Sequence, residues 1–412
     1  MSKPFRVPRL LGLLLVAGLI AAGCANDAED QGTSAAGGNR PIVIGGTLGL
    51  TGTYSSSSAA YKAAYDYWLQ KVNANGGLLG RKVEMKIYDD ESNATTAQQL
   101  FQRLINDDKA DLLLAPYSTA VGGAVVPISE RAGKILWDAG FVSQELHSKS
   151  KMLVSAWPYQ EPEYSRPLFE YFKTLPAAQR PKTVAVVAAQ NPFPLVARDG
   201  YKGKGGVLGY AREAGMRVVF NEEYNQQATD LSGLVQQAKA TNPDVFIALS
   251  LPNDAALMAR TVQQVNFRPK YYCQCGSQVI TLPNWKDLGP AGMNVFSTTT
   301  AWPGQPDHPG LDELQQHFKQ KFGYANMPAY GAAGLAILQI IEQSIKGTNT
   351  LDQQKLRDYV GGNEFKTAVG TIKYNPDGTV QFAALLAQYQ RNGGQIVWPD
   401  SAKTADAVVP FR

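Results

Sequence analysis

The residues best suited to chemistry in this chain are hydroxyls at one turn. Tyr117, Ser118 and Thr119 follow the apolar run Leu112, Leu113 and Leu114, Gly122 and Gly123 come next, and no charged residue lies between Asp111 and Glu130. Hydroxyls and backbone N–H groups where a strand feeds a helix can hold an anion without a cation beside it. Other chemistries have less to draw on. His147, His308 and His317 have no ligand-like spacing to Cys273 and Cys275, so no metal centre is expected. No G-x-x-x-x-G-K-[ST], G-x-S-x-G or H-E-x-x-H pattern occurs, and "GYKGKGGVLG" lacks nucleotide-loop spacing after a strand. Neither an enzyme nor a bound cofactor is expected. Cys273 and Cys275 share a face if they lie on a strand. They are expected as free buried thiols, with a strained one-residue bridge as the alternative. Asp89 and Asp90 read as a solvated turn or helix start rather than an acid–base pair. Trp157, Tyr159 and Trp302 either line a site or pack half-buried near a hinge.

A repeating strand–helix pattern must position these groups. "PIVIGGTLGL", "RKVEMKIYDD", "ADLLLAPY" and "KILWDAG" read as strands, separated by helical patterns such as "SSSSAAYKAAYDYWLQKVNANGG" and "TTAQQLFQRLINDDKA". The rhythm restarts near residue 182 with "KTVAVVAAQN", "MRVVFNEEYN", "DVFIALS" and "KYYCQCG" as strands; "PLVARDGYKGKGGVLGYAREAG" reads as one helix. Alternation of this kind predicts parallel strands with crossover helices in two α/β lobes. Later come two helices and "GTIKYNPDGTVQFAALLAQYQ", in which Asn-Pro-Asp-Gly is expected to join two strands. The strand tips share a character. Thr51-Gly52, Ser118-Thr119, Asp138-Ala139-Gly140, Asn191-Pro192-Phe193, Leu251-Pro252-Asn253 and Gly276-Ser277-Gln278 are small, neutral or hydroxyl-bearing turns apart from Asp138. Ligands of open parallel sheets bind outside such tips, so two facing lobes would form a cleft.

The chain has 412 residues, too many for one ordinary core, with 44% hydrophobic and 18% charged residues. Lys3, Arg6 and Arg9 precede the apolar run "LLGLLLVAGLIAAG", which is short for a membrane span. Taking these three from the 39 basic residues leaves 36 against 35 acids, so no nucleic-acid partner is expected. The "IAAGC" that follows resembles a bacterial lipoprotein signal, although Ala21 stands where Leu is usual. Residues 1–23 are expected as the signal, Cys24 as the lipidated residue, and 24–40 as a polar tether to the membrane.

From about residue 41 to its end the chain resembles the leucine/isoleucine/valine-binding family of periplasmic solute-binding proteins, the type I receptors of ABC importers. The carriers are "IGGTLGLTGTYSSSSAAYKAAYDYWLQKVNANGGLLGRKVEMKIYDDESN", "APYSTAVGGAVVPISERAGKILWDAG", "AYGAAGLAILQ" and "GTIKYNPDGTV". The resemblance implies two Rossmann-like lobes joined by a three-crossing hinge, at 41–160 plus 301–367 and 161–300 plus 368–412. It also implies a monomeric, extracytoplasmic receptor that binds a small solute and hands it to permease and ATPase subunits. In such receptors the turn matching Tyr117, Ser118 and Thr119 holds the ligand carboxylate, and the turn matching Ala139 to Phe141 adds backbone contacts. Phe193 stands where a Tyr is usual, and Asn253 lies at a neighbouring tip. The acid that pairs with a ligand ammonium is replaced by the neutral turn around Ser277. Two ligand classes therefore stay open: an amino acid, with Asp138 substituting for the missing acid, or a carboxylate-bearing or amide-like solute without an ammonium. The alternatives to transport are a sensor for a membrane partner and, less well supported, an exported hydrolase.

Overall fold

The structure, a computed structural model, describes residues 40–411 apart from 306, 325–326, 376–379 and 382. The expected signal, Cys24 and nearly all of the tether lie outside the described residues. The first sheet comprises β1 (Ile42–Leu48), β2 (Val83–Asp89), β3 (Leu112–Leu114), β4 (Leu136–Asp138) and β5 (Leu153–Ser155). They are parallel and ordered β2-β1-β3-β4-β5. Their crossovers carry α1 (Ser55–Ala74), α2 (Ala94–Asn106), α3 (Thr119–Arg131) and the short α4 (Gln144–Lys149). All seven residues of β1 are buried, as expected of a strand with helices on both faces.

The chain then crosses through a 3-10 turn at Glu161–Glu163 and α5 (Arg166–Thr174). The second sheet follows with β6 (Thr183–Ala189), β7 (Arg217–Tyr224), β8 (Val245–Leu249), β9 (Tyr271–Gln274) and β10 (Phe296–Thr299). Its helices are α6 (Pro192–Asp199), α7 (Gly206–Glu213), α8 (Ser232–Ala240) and α9 (Pro252–Gln264). The order β7-β6-β8-β9-β10 repeats that of the first sheet. The chain returns as α10 (Leu311–Phe322), α11 (Ala329–Thr348), α12 (Gln353–Gly362) and the ribbon β11 (Glu364–Thr367)–β12 (Gly370–Lys373), with α11 packed on α1. A last crossing delivers β13 (Leu385–Gln390) and β14 (Gly393–Trp398), which extend the second sheet antiparallel beside β10. Gln278 ties two crossings together. Its Nε2 donates to Tyr159 Oη at 3.0 Å, and its Oε1 accepts from Thr299 Oγ1 at 3.0 Å and Thr300 N at 3.3 Å.

Four sequence expectations need correction. The single helix expected after β6 is two, because Gly200, Gly203 and Gly205 between α6 and α7, and Gly206 at the start of α7, all take positive φ. A Cβ on Gly206 would also run into the Gly200 backbone. The late hairpin is shorter than expected: Tyr374 and Val380 form an antiparallel bridge across the turn and Gln381 N donates to Lys373 O at 2.9 Å, but β12 otherwise pairs with β11, and β13 leaves to pair with β10 and β14. Residues 376–379 of its expected turn lie outside the described residues. Cys273 and Cys275 form a disulfide rather than free thiols. Cys273 lies on β9 and Cys275 directly follows its last residue, and their Cα atoms, 5.3 Å apart, are within bridging range. Asp90 is not solvated: it is 1% exposed and accepts from Thr47 Oγ1 at 2.7 Å and Ser92 N at 3.0 Å.

Candidate functional site

Each sheet reverses its winding beside its first strand, between β1 and β3 and between β6 and β8. A crevice opens at the strand tips there, and the tips of the two sheets converge on one cavity. Its walls are Tyr117, Ser118 and Thr119 after β3, Gly140, Phe141 and Val142 after β4, and Trp157 after β5. Opposite stand Asn191 and Phe193 after β6, Leu251 after β8, and Gly276 and Ser277 after β9. Tyr164 from the first crossing and Tyr330 from the start of α11 complete it. The void is about 30 Å³, or about 400 Å³ with the open space at its mouth. None of these side chains is charged.

The first-sheet wall is built by close backbone approach. Ser118 N donates to Gly140 O at 3.1 Å, and a Cβ on Gly140 would collide with Pro116 O. Ser118 sits at φ 80°, ψ 145°, a costly conformation for a residue with a side chain. Its Oγ accepts from Val121 N at 3.4 Å and so caps α3. Helix starts leave their first N–H groups without intrahelical partners, so Thr119 and Ala120 present N–H groups beside the Ser118 hydroxyl. Gly122 has a clear function: a Cβ there would enter the Phe141 ring, which lies on that face of α3. Trp157 Nε1 donates to Ala139 O at 2.7 Å, and Tyr61 Oη donates to the same carbonyl.

Aromatic rings continue this wall across to the second sheet. Tyr117 meets Tyr330 with centroids 5.5 Å apart, Trp157 meets Tyr330 at 6.4 Å, and Tyr164 meets Phe193 edge-on at 4.7 Å. Burial pushes the Tyr117, Tyr164 and Tyr330 phenols well above their ordinary range, so they stay neutral donors. Two polar contacts span the mouth. Asn191 Nδ2 donates to Tyr54 Oη at 3.5 Å, and Asn253 Nδ2 donates to Thr53 O.

Of the residues expected from sequence, the structure brings Tyr117, Ser118, Thr119, Phe141, Phe193 and Ser277 to the cavity. Asp138, Ala139 and Asn253 are not in its lining. Asp138 is fully buried behind the wall, where its Oδ1 accepts from Gly140 N at 2.8 Å and Phe141 N at 3.0 Å. It therefore does not offer a carboxylate to a cavity ligand. Ala139 contributes its carbonyl to Trp157, and exposed Asn253 closes the rim. The Ser277 hydroxyl donates to Ser250 O at 2.8 Å, so that residue lines the cavity largely with its backbone. Asp254, just behind Leu251, accepts from Leu251 N at 3.1 Å and from Tyr224 Oη. Tyr164 and Tyr330 were missed, because neither follows a strand tip; their only signal was that both are aromatic. Trp302 lies against Gly394, away from this site. Among the described residues no group of three His, Cys, Asp or Glu side chains is placed to hold a metal ion, and no helix is long and apolar enough to cross a membrane.

Two doubly wound sheets whose tips close on an uncharged cavity define a two-lobed α/β binding protein. The sequence matches the Periplasmic binding protein family over residues 41–395, and the chain belongs to that family. Among curated proteins it is similar to Leu/Ile/Val-binding protein homolog 7 of Brucella abortus (strain 2308), 21% identical over 362 residues, 83% of this chain and 87% of the relative. Its fold is similar to that of the branched-chain amino acid transporter substrate binding protein LivJ of Streptococcus pneumoniae, solved in complex with isoleucine. That match has a TM-score of 0.71 and 14% identity, covering 90% of this chain and 100% of that one. It is also similar to an ABC transporter solute binding protein of Rhodopseudomonas palustris BisB5, solved in complex with 3,4-dihydroxy benzoic acid. There the TM-score is 0.73 at 15% identity, covering 86% and 95%.

Proposed function

We propose that this chain is the extracytoplasmic solute receptor of an ABC importer of the branched-chain-amino-acid type, and that its solute binds in the cavity between the two sheets. The observation that carries this reading is the convergence of six strand tips on one aromatic, uncharged cavity beside the start of α3. The ligand class follows from the walls. An ammonium buried without a counter-charge costs several kcal/mol, and the nearby carboxylates of Asp138 and Asp254 already serve backbone N–H groups. A carboxylate-bearing or amide-like solute with a flat or apolar body suits this site better than a zwitterionic amino acid. Its acid group would meet the Ser118 and Thr119 hydroxyls and the first N–H groups of α3. A cavity of about 30 Å³ has room for little more than one or two waters. Entry of a solute therefore requires the sheets to part at the crossings.

Thermal-shift screening tests the reading. Aromatic and aliphatic acids and small amides should raise Tm, and 3,4-dihydroxybenzoic acid should do so more than isoleucine. Lack of stabilisation by every such solute would count against a receptor, and a stronger response to isoleucine would reverse the proposed ligand class. In the same reading Cys24 carries the lipid, the receptor is a monomer, and the lobes divide at 41–160 plus 301–367 and 161–300 plus 368–412, except that β12 stays with its partner β11 before the last crossing. Loss of fatty-acid labelling in Cys24→Ala is the expected result for the anchor.

A further inference from the structure

A cluster of buried titratable groups lies directly behind the cavity wall. Asp138, His147 and Glu161 are 0%, 1% and 2% exposed. Asp138 ends β4, His147 lies on α4, and Glu161 opens the first crossing between the sheets. Asp138 Oδ1 holds the N–H groups of Gly140 and Phe141. Its Oδ2 is 3.2 Å from His147 Nε2, in ion-pair range but not aligned as a hydrogen bond. His147 Nδ1 lies 2.7 Å from Ser143 O. A carbonyl oxygen only accepts, so Nδ1 carries a hydrogen.

Glu161 connects this pair to the crossing. Its N–H donates to Val142 O at 3.0 Å, and its Oε2 accepts from Gln144 N, the first N–H of α4, at 2.5 Å. Neighbouring charges are engaged elsewhere. Glu145 pairs with Lys149 on α4, Glu163 with Arg166 at 3.2 Å, and Arg198 of α6 with Asp199 and Glu223. Tyr61 and Tyr65 of α1 and Tyr374 face Asp138 as neutral phenols. His147 is the ionisable group facing Glu161. Burial pushes the Glu161 carboxyl up to about 7 and raises that of Asp138.

We propose that Asp138, His147 and Glu161 are positioning residues for solute binding: they fasten the Gly140–Phe141–Val142 wall to the first crossing, and ionised Glu161 gives the firmer hold. The proposal rests on the reading that the solute occupies this cavity. An ionised carboxylate accepts from Gln144 N about twice as strongly as a neutral one. Affinity should therefore rise as pH rises through the Glu161 titration. Stability should move the other way, because a carboxyl raised by burial stabilises the fold while protonated and loses that contribution as pH rises through about 7. A residue with only a structural role would move both in the same direction.

The test compares wild type with Glu161→Gln between about pH 5.5 and 8.5. Three readouts are needed: amide exchange at Phe141 and Gln144 corrected for intrinsic rate, Tm, and affinity for 3,4-dihydroxybenzoic acid and isoleucine as probes. In wild type the protection of Gln144 and the probe affinity should each rise about threefold to fivefold across that range. Glu161→Gln should show neither rise and should melt higher than wild type at the alkaline end. Equal, pH-independent protection in both proteins would overturn the proposal, as would a pH profile of affinity that survives in Glu161→Gln. The wild-type exchange profile needs no variant, so it decides the matter even if Glu161→Gln fails to fold. If neither probe binds, the proposed solute class fails while the exchange arm still judges the latch.

Discussion

Replacing Ser118 by glycine should separate stability from binding in one step. At φ 80° and ψ 145° the serine backbone stores on the order of 1–3 kcal/mol of strain. Glycine occupies this region freely. It costs about 0.5–1 kcal/mol through the unfolded chain and a few tenths through the lost side-chain cap. The balance makes Ser118→Gly about 1 kcal/mol more stable than wild type. Ser118→Ala keeps the strain and loses the cap, so it should be about 1 kcal/mol less stable. Both variants lose the hydroxyl beside the α3 start, and an acidic solute should bind each about 1.5–3 kcal/mol more weakly, the worth of a hydrogen bond to a charge. Urea denaturation orders the three proteins, and calorimetry with a solute from the thermal screen measures the binding loss. If Ser118→Gly is no more stable than Ser118→Ala, the strain argument fails. If both variants bind as wild type does, the anion site lies elsewhere.

Further expectations concern the rest of the wall. Gly122→Ala drives a methyl into the Phe141 ring; the displaced ring should cost about 1–3 kcal/mol of stability by overpacking and exclude larger solutes first, which urea denaturation and a solute size series would show. The double change Cys273→Ala with Cys275→Ala opens a ring so small that loop-closure entropy predicts a loss of only on the order of 1–2 kcal/mol in denaturation, and a far larger loss would mean that the bridge sets the shape of the Gly276–Ser277 turn. Burial raises Asp254 to about 6, so its contribution to stability is present below about pH 3.9 and lost as pH rises through about 6; Asp254→Asn should flatten that part of the stability profile in denaturation series at several pH values.

Much of this site could be read from strand endings. A buried β-rich run that stops at Ser118-Thr119, Asn191 or Gly276-Ser277 announces a tip, and tips of parallel sheets face ligands. What stayed hidden depended on where single atoms went. Asp138 looked like a candidate counter-charge, but an Asp can turn back on the next backbone N–H groups, and here Gly140 and Phe141 take up its Oδ1. Tyr330 lies on a helix that is apolar nearly all round, so periodicity marks it only as core. Tyr164 arrives from a crossing whose path depends on both sheets at once. The break between α6 and α7 was concealed because glycine tolerates a weak helix and a positive φ alike. The disulfide required the side chain of Cys273 on β9 and that of Cys275 just past the strand end to turn toward each other, which spacing permits without demanding.

The two contacts across the mouth, Asn191 to Tyr54 and Asn253 to Thr53, set the energetics of closure. Neutral hydrogen bonds of this kind contribute about 0.5–1.5 kcal/mol each, against the conformational freedom lost when the sheets come together. Such lips cannot lock the molecule by themselves. The gain that favours the shut form must come from whatever fills the aromatic walls, so occupancy and shape should rise and fall together. Even a charged pair added at that exposed rim would contribute only about 0–1 kcal/mol, so it would not shut the protein without cargo.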